Sequence, residues 1–134
     1  MTPYFFNRLE VLNQRLIYAA ENGLANEIAP LVTAGAQINC INNYHETPLF
    51  LAVEGCHLNT VKRILEYNGN PNISDDYHET PLHLAYENNH HAIINCLLAY
   101  GADPNIRNLN NERPKDVPCL QQKLNSIPTY HSKT

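Results

Sequence analysis

Apolar residues return along this chain every 33 positions. Leu16, Leu49 and Leu82 share one phase, and Ala19, Ala52 and Ala85 share another. Ile28, Val61 and Ile94 follow, then Leu31, Ile64 and Leu97, then Val32, Leu65 and Leu98. The six residues Tyr44–Leu49 recur letter for letter as Tyr77–Leu82. Glu21, Glu54 and Glu87 also keep phase, as do Asn39, Asn72 and Asn105, whereas most polar positions drift. Apolar persistence beside polar drift is what a packing constraint leaves behind. A period of this length marks stacked supersecondary units.

Within a unit the pattern predicts two short helices. Thr47 and Thr80 can cap a helix with their hydroxyls, and Pro48 and Pro81 then fall where a missing N–H costs nothing. Leu49 with Ala52, and Leu82 with Ala85, line one face, and these helices should end near Gly55 and near Asn88–Asn89. A second helix is predicted over Leu58 to Tyr67, with Leu58, Val61, Ile64 and Leu65 on one side. Its counterparts run from His91 to Tyr100 and from Ala25 to Ala34, the latter interrupted by Pro30, which predicts a kink or a tightened first turn. Gly35, Asn68 and Gly101 end these helices, as residues that tolerate the left-handed conformation. Phe6, Leu9, Leu12 and Leu16 recur at helical spacing, so a helix should flow into the first unit or pack on it. Helices of about two turns are marginal alone and gain stability only by stacking. The fold class expected is an all-α solenoid with projecting loops.

Composition narrows the function. The chain has 134 residues, 43% of them hydrophobic, and a net charge of -4 from 9 Lys+Arg against 13 Asp+Glu. That suits one packed domain and argues against global disorder. With no basic run, neither nucleic acid nor an anionic membrane surface is an expected partner. No stretch approaches 18 apolar residues, and the first eight lack signal-peptide character. Cys40, Cys56, Cys96 and Cys119 lack paired spacing, so free thiols in a reducing compartment, the cytoplasm, are expected. The nineteen asparagines colour the surface without implying chemistry.

The residues Thr80-Pro81-Leu82-His83-Leu84-Ala85, with Gly101-Ala102-Asp103-Pro104-Asn105 closing the unit, resemble the ankyrin-repeat signature. The preceding unit resembles it as Thr47-Pro48-Leu49-Phe50-Leu51-Ala52 with Asn68-Gly69-Asn70-Pro71-Asn72, and the first unit ends on Gly35-Ala36-Gln37-Ile38-Asn39. The resemblance covers about residues 14 to 115. It implies helix pairs with a β-hairpin-like finger at right angles, in repeats at about 14–41, 42–74 and 75–107. An N-terminal capping helix at about 4–13 and a degenerate cap at 108–125 complete a single domain over 1–125, followed by a flexible tail at 126–134. The irregular ends suggest a complete small protein. Three departures stand out. The finger position usually held by Gly carries His45, His78 and Asn111. The Gly-His pair that usually opens the second helix is Cys56-His57 and Asn89-His90. Tyr86 replaces an Ala, and its ring should crowd the following unit, where Pro118 forbids a normal first helix.

The seven histidines and four cysteines do not assemble a catalytic or metal site in the sequence. His90 and His91 are adjacent and face apart on a helix. His45 and His78 occupy neighbouring units about 10 Å apart, too far to share a zinc whose ligands lie within about 2.1 Å. His57 and His83 are expected to hydrogen-bond between turns and loops. Cys96 reads as near-core, and no oxyanion site accompanies Cys56-His57. The expectation is no enzyme activity, no cofactor and no metal.

The resemblance implies binding of a protein through the finger loops and the concave face. The positions it assigns are Ile41, Asn43, Tyr44, Glu46, Glu54 and Gly55, then Ser74, Asp76, Tyr77, Glu79, Glu87 and Asn88, then Arg107, Leu109, Asn110 and Glu112. Tyr44 with Tyr77 and Glu46 with Glu79 repeat in phase, an aromatic and acidic stripe suited to anchoring a neutral-to-basic patch. A monomer is expected. Two alternatives are kept: a host-directed effector or inhibitor subunit of an intracellular bacterium or virus, and a substrate of an asparagine hydroxylase at Asn39, Asn72 or, best, Asn105.

Overall fold

The computed structural model describes residues 7–120. Six α-helices follow in order: α1 (Arg8–Glu21), α2 (Ala25–Ala34), α3 (Pro48–Glu54), α4 (Leu58–Glu66), α5 (Pro81–Glu87) and α6 (His91–Ala99), then a 3₁₀ turn over Pro114–Asp116. α1, α3 and α5 form an inner row and α2, α4 and α6 an outer row, each helix packed on the next in its row and on its partner in the pair. The described residues contain no strand, so the expected hairpin-like fingers are closed turns.

Local chemistry sets the helix ends. The hydroxyl of Thr47 accepts the N–H of Phe50 at 3.1 Å, and that of Thr80 accepts the N–H of His83 at 3.4 Å. Such caps contribute about 1 kcal/mol each. The outer helices stop at residues with positive φ: Gly35 at 119°, Asn68 at 72° and Gly101 at 92°. The links between paired helices also turn left-handed, at Gly23 (71°), Cys56 (58°) and Asn89 (53°). Pro30 lies inside α2 without splitting it.

The in-phase apolar residues are the core. Leu16, Ala19, Ala52, Leu82 and Ala85 are fully buried and Leu49 nearly so, with Ile28, Val61, Ile64 and Leu97 beside them. Cys96 and Tyr86 are half-buried against this cluster. Truncating a side chain such as Leu49 or Leu82 removes packing on two neighbours at once, a loss of about 2–5 kcal/mol.

The two ends depart from the regular repeat. At the N-terminal end Arg8 through Glu21 form one continuous helix that runs into the first unit, capped by Asn7 Oδ1 on Glu10 N at 2.8 Å; residues 4–6 of the expected capping helix lie outside the described residues. Leu98 shares phase with buried Leu65 yet is 40% exposed, since among the described residues no further outer helix packs on α6. In the degenerate cap, the 3₁₀ turn with buried Pro114 packs on α5 in place of a full helix. The tail of 126–134 and the end of the degenerate cap, residues 121–125, lie outside the described residues.

Candidate protein-binding surface

Each finger is built on one Asn or Asp. Asn42, Asp75 and Asn108 occupy the same phase. Asn42 Oδ1 accepts the N–H groups of Tyr44 and Glu46, both at 2.9 Å. Asp75 Oδ1 does the same for Tyr77 and Glu79, and Asn108 Oδ1 for Asn110 and Glu112, at 2.9–3.0 Å. The backbone closes the loop: Asn42 N donates to Glu46 O, Asp75 N to Glu79 O, and Asn108 N to Glu112 O. This geometry requires a left-handed residue at the tip, supplied by His45 (φ 63°), His78 (60°) and Asn111 (62°). A short side chain that bonds backbone two residues on is the physics of an Asx turn. The equal phase of Asn42, Asp75 and Asn108 was the signal for these three residues, which the reading of candidate binding positions passed over.

Fingers also bond to one another. Asp76 N donates to Tyr44 O at 3.4 Å, and Leu109 N donates to Tyr77 O at 3.1 Å. His45 Nδ1 donates to Ser74 O at 2.9 Å. His57 Nε2 donates to Glu21 O at 3.1 Å, and His83 Nε2 to Glu112 O at 2.9 Å. The fingers are therefore held in a row, and their outward side chains are held with them.

The expected binding residues divide on this frame. Tyr44 (68% exposed), Tyr77 (69%), Leu109 (60%) and Ile41 (45%) project as large apolar groups. Asn43, Asp76, Asn110, Arg107, Glu54 and Gly55 are exposed as well. Ser74, Glu46, Glu79, Glu87, Asn88 and Glu112 are only half-buried to half-exposed, and several serve the scaffold. Asn42 Nδ2 donates to Glu46 Oε1 at 2.8 Å, and Asn108 Nδ2 donates to Glu79 Oε2 at 3.3 Å and Glu112 Oε1 at 3.0 Å. Arg107 Nη1 donates to Asn111 O at 2.9 Å, and Asn88 caps α5.

Negative charge collects on the inner side. Glu21, Glu54 and Glu87 are the last residues of α1, α3 and α5, and none of these helices has a basic residue in its last turn. A carboxylate is unfavourable against the negative end of the helix dipole. Partial burial first, then the charges of Glu46, Glu21, Asp75 and Glu87, raise the Glu54 carboxyl above its ordinary value. Burial likewise raises Glu79; Glu87 and Asp75 add to the effect, and His83 and the Asn108 amide oppose it.

No group of three or more His, Cys, Asp or Glu among the described residues is placed to hold a metal ion. Cys40 is half-buried, and burial pushes its thiol up to about 11, away from nucleophilic character at neutral pH. No helix among the described residues is long and apolar enough to cross a membrane.

No curated protein matches the chain. A family model described as ankyrin repeats (3 copies) matches residues 16–108, which takes in the last part of α1, the whole of α2 to α6 and the first two fingers. Ankyrin repeats generally mediate protein–protein interaction and are typically non-enzymatic. With three helix pairs in two rows, left-handed helix ends in phase and a matching family model over most of its length, the chain belongs to the ankyrin-repeat family.

Proposed function

We propose that this chain is a non-enzymatic binding module that grips a protein partner across its finger tips and the inner face of α1, α3 and α5. The observation that carries the reading is the pair Tyr44 and Tyr77, 68% and 69% exposed on successive fingers of identical construction. A Tyr fixed by its backbone loses little entropy on contact and presents both an apolar ring and a hydroxyl. Ile41 and Leu109 extend the apolar strip to either side. Glu54, Asp76 and Glu87 give the same side negative potential, which favours a neutral-to-basic patch on the partner and acts first on association rate. A monomer working in the cytoplasm fits this reading.

The test is affinity capture from a lysate with wild type and with Tyr44→Ala/Tyr77→Ala. Loss of a captured protein in the variant, with the melting curve unchanged, supports the assignment. Capture that survives the double substitution removes it from the fingers.

A further inference from the structure

The row of fingers has an open edge. Asn43, Asp76 and Leu109 share one phase, and Tyr44, Tyr77 and Asn110 the next. The N–H of Asp76 meets Tyr44 O, and the N–H of Leu109 meets Tyr77 O. The residue that would serve Asn43 by the same rule is Val11, and Val11 lies inside α1. A helix stands where a preceding finger would be. Asn43 N–H therefore has no protein partner among the described residues. Beside it lies a groove of about 310 Å³ between finger and helix, lined by Gln14, Ile17, Ile41, Asn42 and Asn43. An unpaired edge amide beside aliphatic walls is the arrangement that accepts an added extended strand.

Charge says what kind of strand. From residue 16 to 61 the chain has no Lys or Arg, yet it carries Glu21, Glu27, Glu46 and Glu54. Gln14, Ile17 and Glu21 stand three and four residues apart, which places them on one face of α1. Beyond the groove, Glu46, Glu21, Asp75 and Glu87 all act on Glu54, and no cation among the described residues offsets them there.

We infer that the groove seats an extended segment of a partner protein in which aliphatic and basic residues alternate. One backbone carbonyl of that segment accepts the N–H of Asn43, as Tyr44 and Tyr77 serve the next two fingers. An aliphatic side chain enters between Ile17 and Ile41, and a Lys or Arg lies over Glu21 and Glu54. This rests on the protein-binding reading above and specifies the chemistry of the partner.

The experiment is an NMR titration of the full chain with a synthetic peptide of alternating lysine and valine, with a glutamate–valine twin as control. The lysine peptide should shift the Asn43 amide and the methyls of Ile17 and Ile41, and the twin should not. Ile41→Asp should weaken binding by about tenfold or more, and Glu21→Gln/Glu54→Gln by about threefold, with unfolding midpoints no lower than that of wild type except by a degree or two. Asn43→Pro, which deletes the N–H, serves as a second probe if its spectrum remains folded. No binding of the lysine peptide, equal binding of the twin, or shifts confined to Tyr77 and Leu109 would each overturn the inference. Tyrosine-dependent capture of a partner could still stand beside any of those results, so the two readings fail separately.

Discussion

Asn72 clamps two repeats together: its side-chain oxygen accepts the N–H of Asp103 at 2.7 Å, and its amide donates to Gly101 O at 3.1 Å. One unit earlier Asn39 Oδ1 accepts the N–H of Asn70 at 2.8 Å. The recurrence of asparagine at this phase thus has a mechanical cause. Asn105 has the same phase, but no following unit among the described residues offers it an N–H to accept. Asn72→Ala should therefore lower stability by about 1–2 kcal/mol, Asn39→Ala by about 1, and Asn105→Ala by a few tenths. Urea unfolding of the three variants checks the order. A loss at Asn105 equal to that at Asn72 would contradict the inter-repeat account.

Cys56 sits in a left-handed turn at φ 58°, where the first unit has Gly23 at 71°. A side chain with a Cβ pays about 1–2 kcal/mol there, partly offset by its smaller unfolded-state entropy. Cys56→Gly should raise stability by about 0.5–1 kcal/mol, measured as a higher unfolding midpoint in reducing buffer. The equivalent Asn89→Gly should gain less, because Asn enters this region more easily.

His83 is fully buried and joins three segments. Its Nδ1 accepts the N–H of Thr80 at 3.0 Å and its Nε2 donates to Glu112 O at 2.9 Å, so the proton resides on Nε2. His83→Ala leaves both partners unpaired and opens a cavity, for an expected loss of about 2–4 kcal/mol. Hydrogen exchange should show the change concentrated in the third finger, residues 108–112. His57→Ala, with one exposed contact to Glu21 O, should cost less.

Glu54 has its carboxyl raised by partial burial and by neighbouring carboxylates. A raised folded-state value means that protonation favours the fold. The favourable contribution is complete below the ordinary value of 4.5 and is lost as pH rises through the raised value. Glu54→Gln should therefore be more stable than wild type at pH 7, by a few tenths of a kcal/mol after solvent screening. That advantage should vanish as pH falls below the ordinary value. Melting curves of both proteins across pH 4–7 read the difference, and a variant less stable than wild type at pH 7 would reverse the sign.

Helix spans and left-handed stops were legible because they are decided within a few residues. Thr47 with Pro48, Thr80 with Pro81, and Gly35, Asn68 and Gly101 each set a boundary by local capping chemistry. Which of the candidate binding positions stand exposed was only half legible. Tyr44 and Tyr77 project as the repeat pattern implied, but Glu46 and Glu79 partly turn inward to Asn42 and Asn108. The partner of Glu79 lies in a unit 29 residues away, which has no signature in local composition.

The period of 33, taken alone, determined that helix pairs stack and which leucines and alanines meet, because identical neighbours impose identical demands on every unit. What only the tertiary structure decided lies where a unit has no neighbour. There Leu98 emerges into solvent, Leu9 and Val11 wind into α1 rather than a finger, and the amide of Asn43 finds no partner among the described residues. Repetition specifies contacts between units, and at an end the missing contact leaves burial and pairing to whatever chain happens to lie alongside.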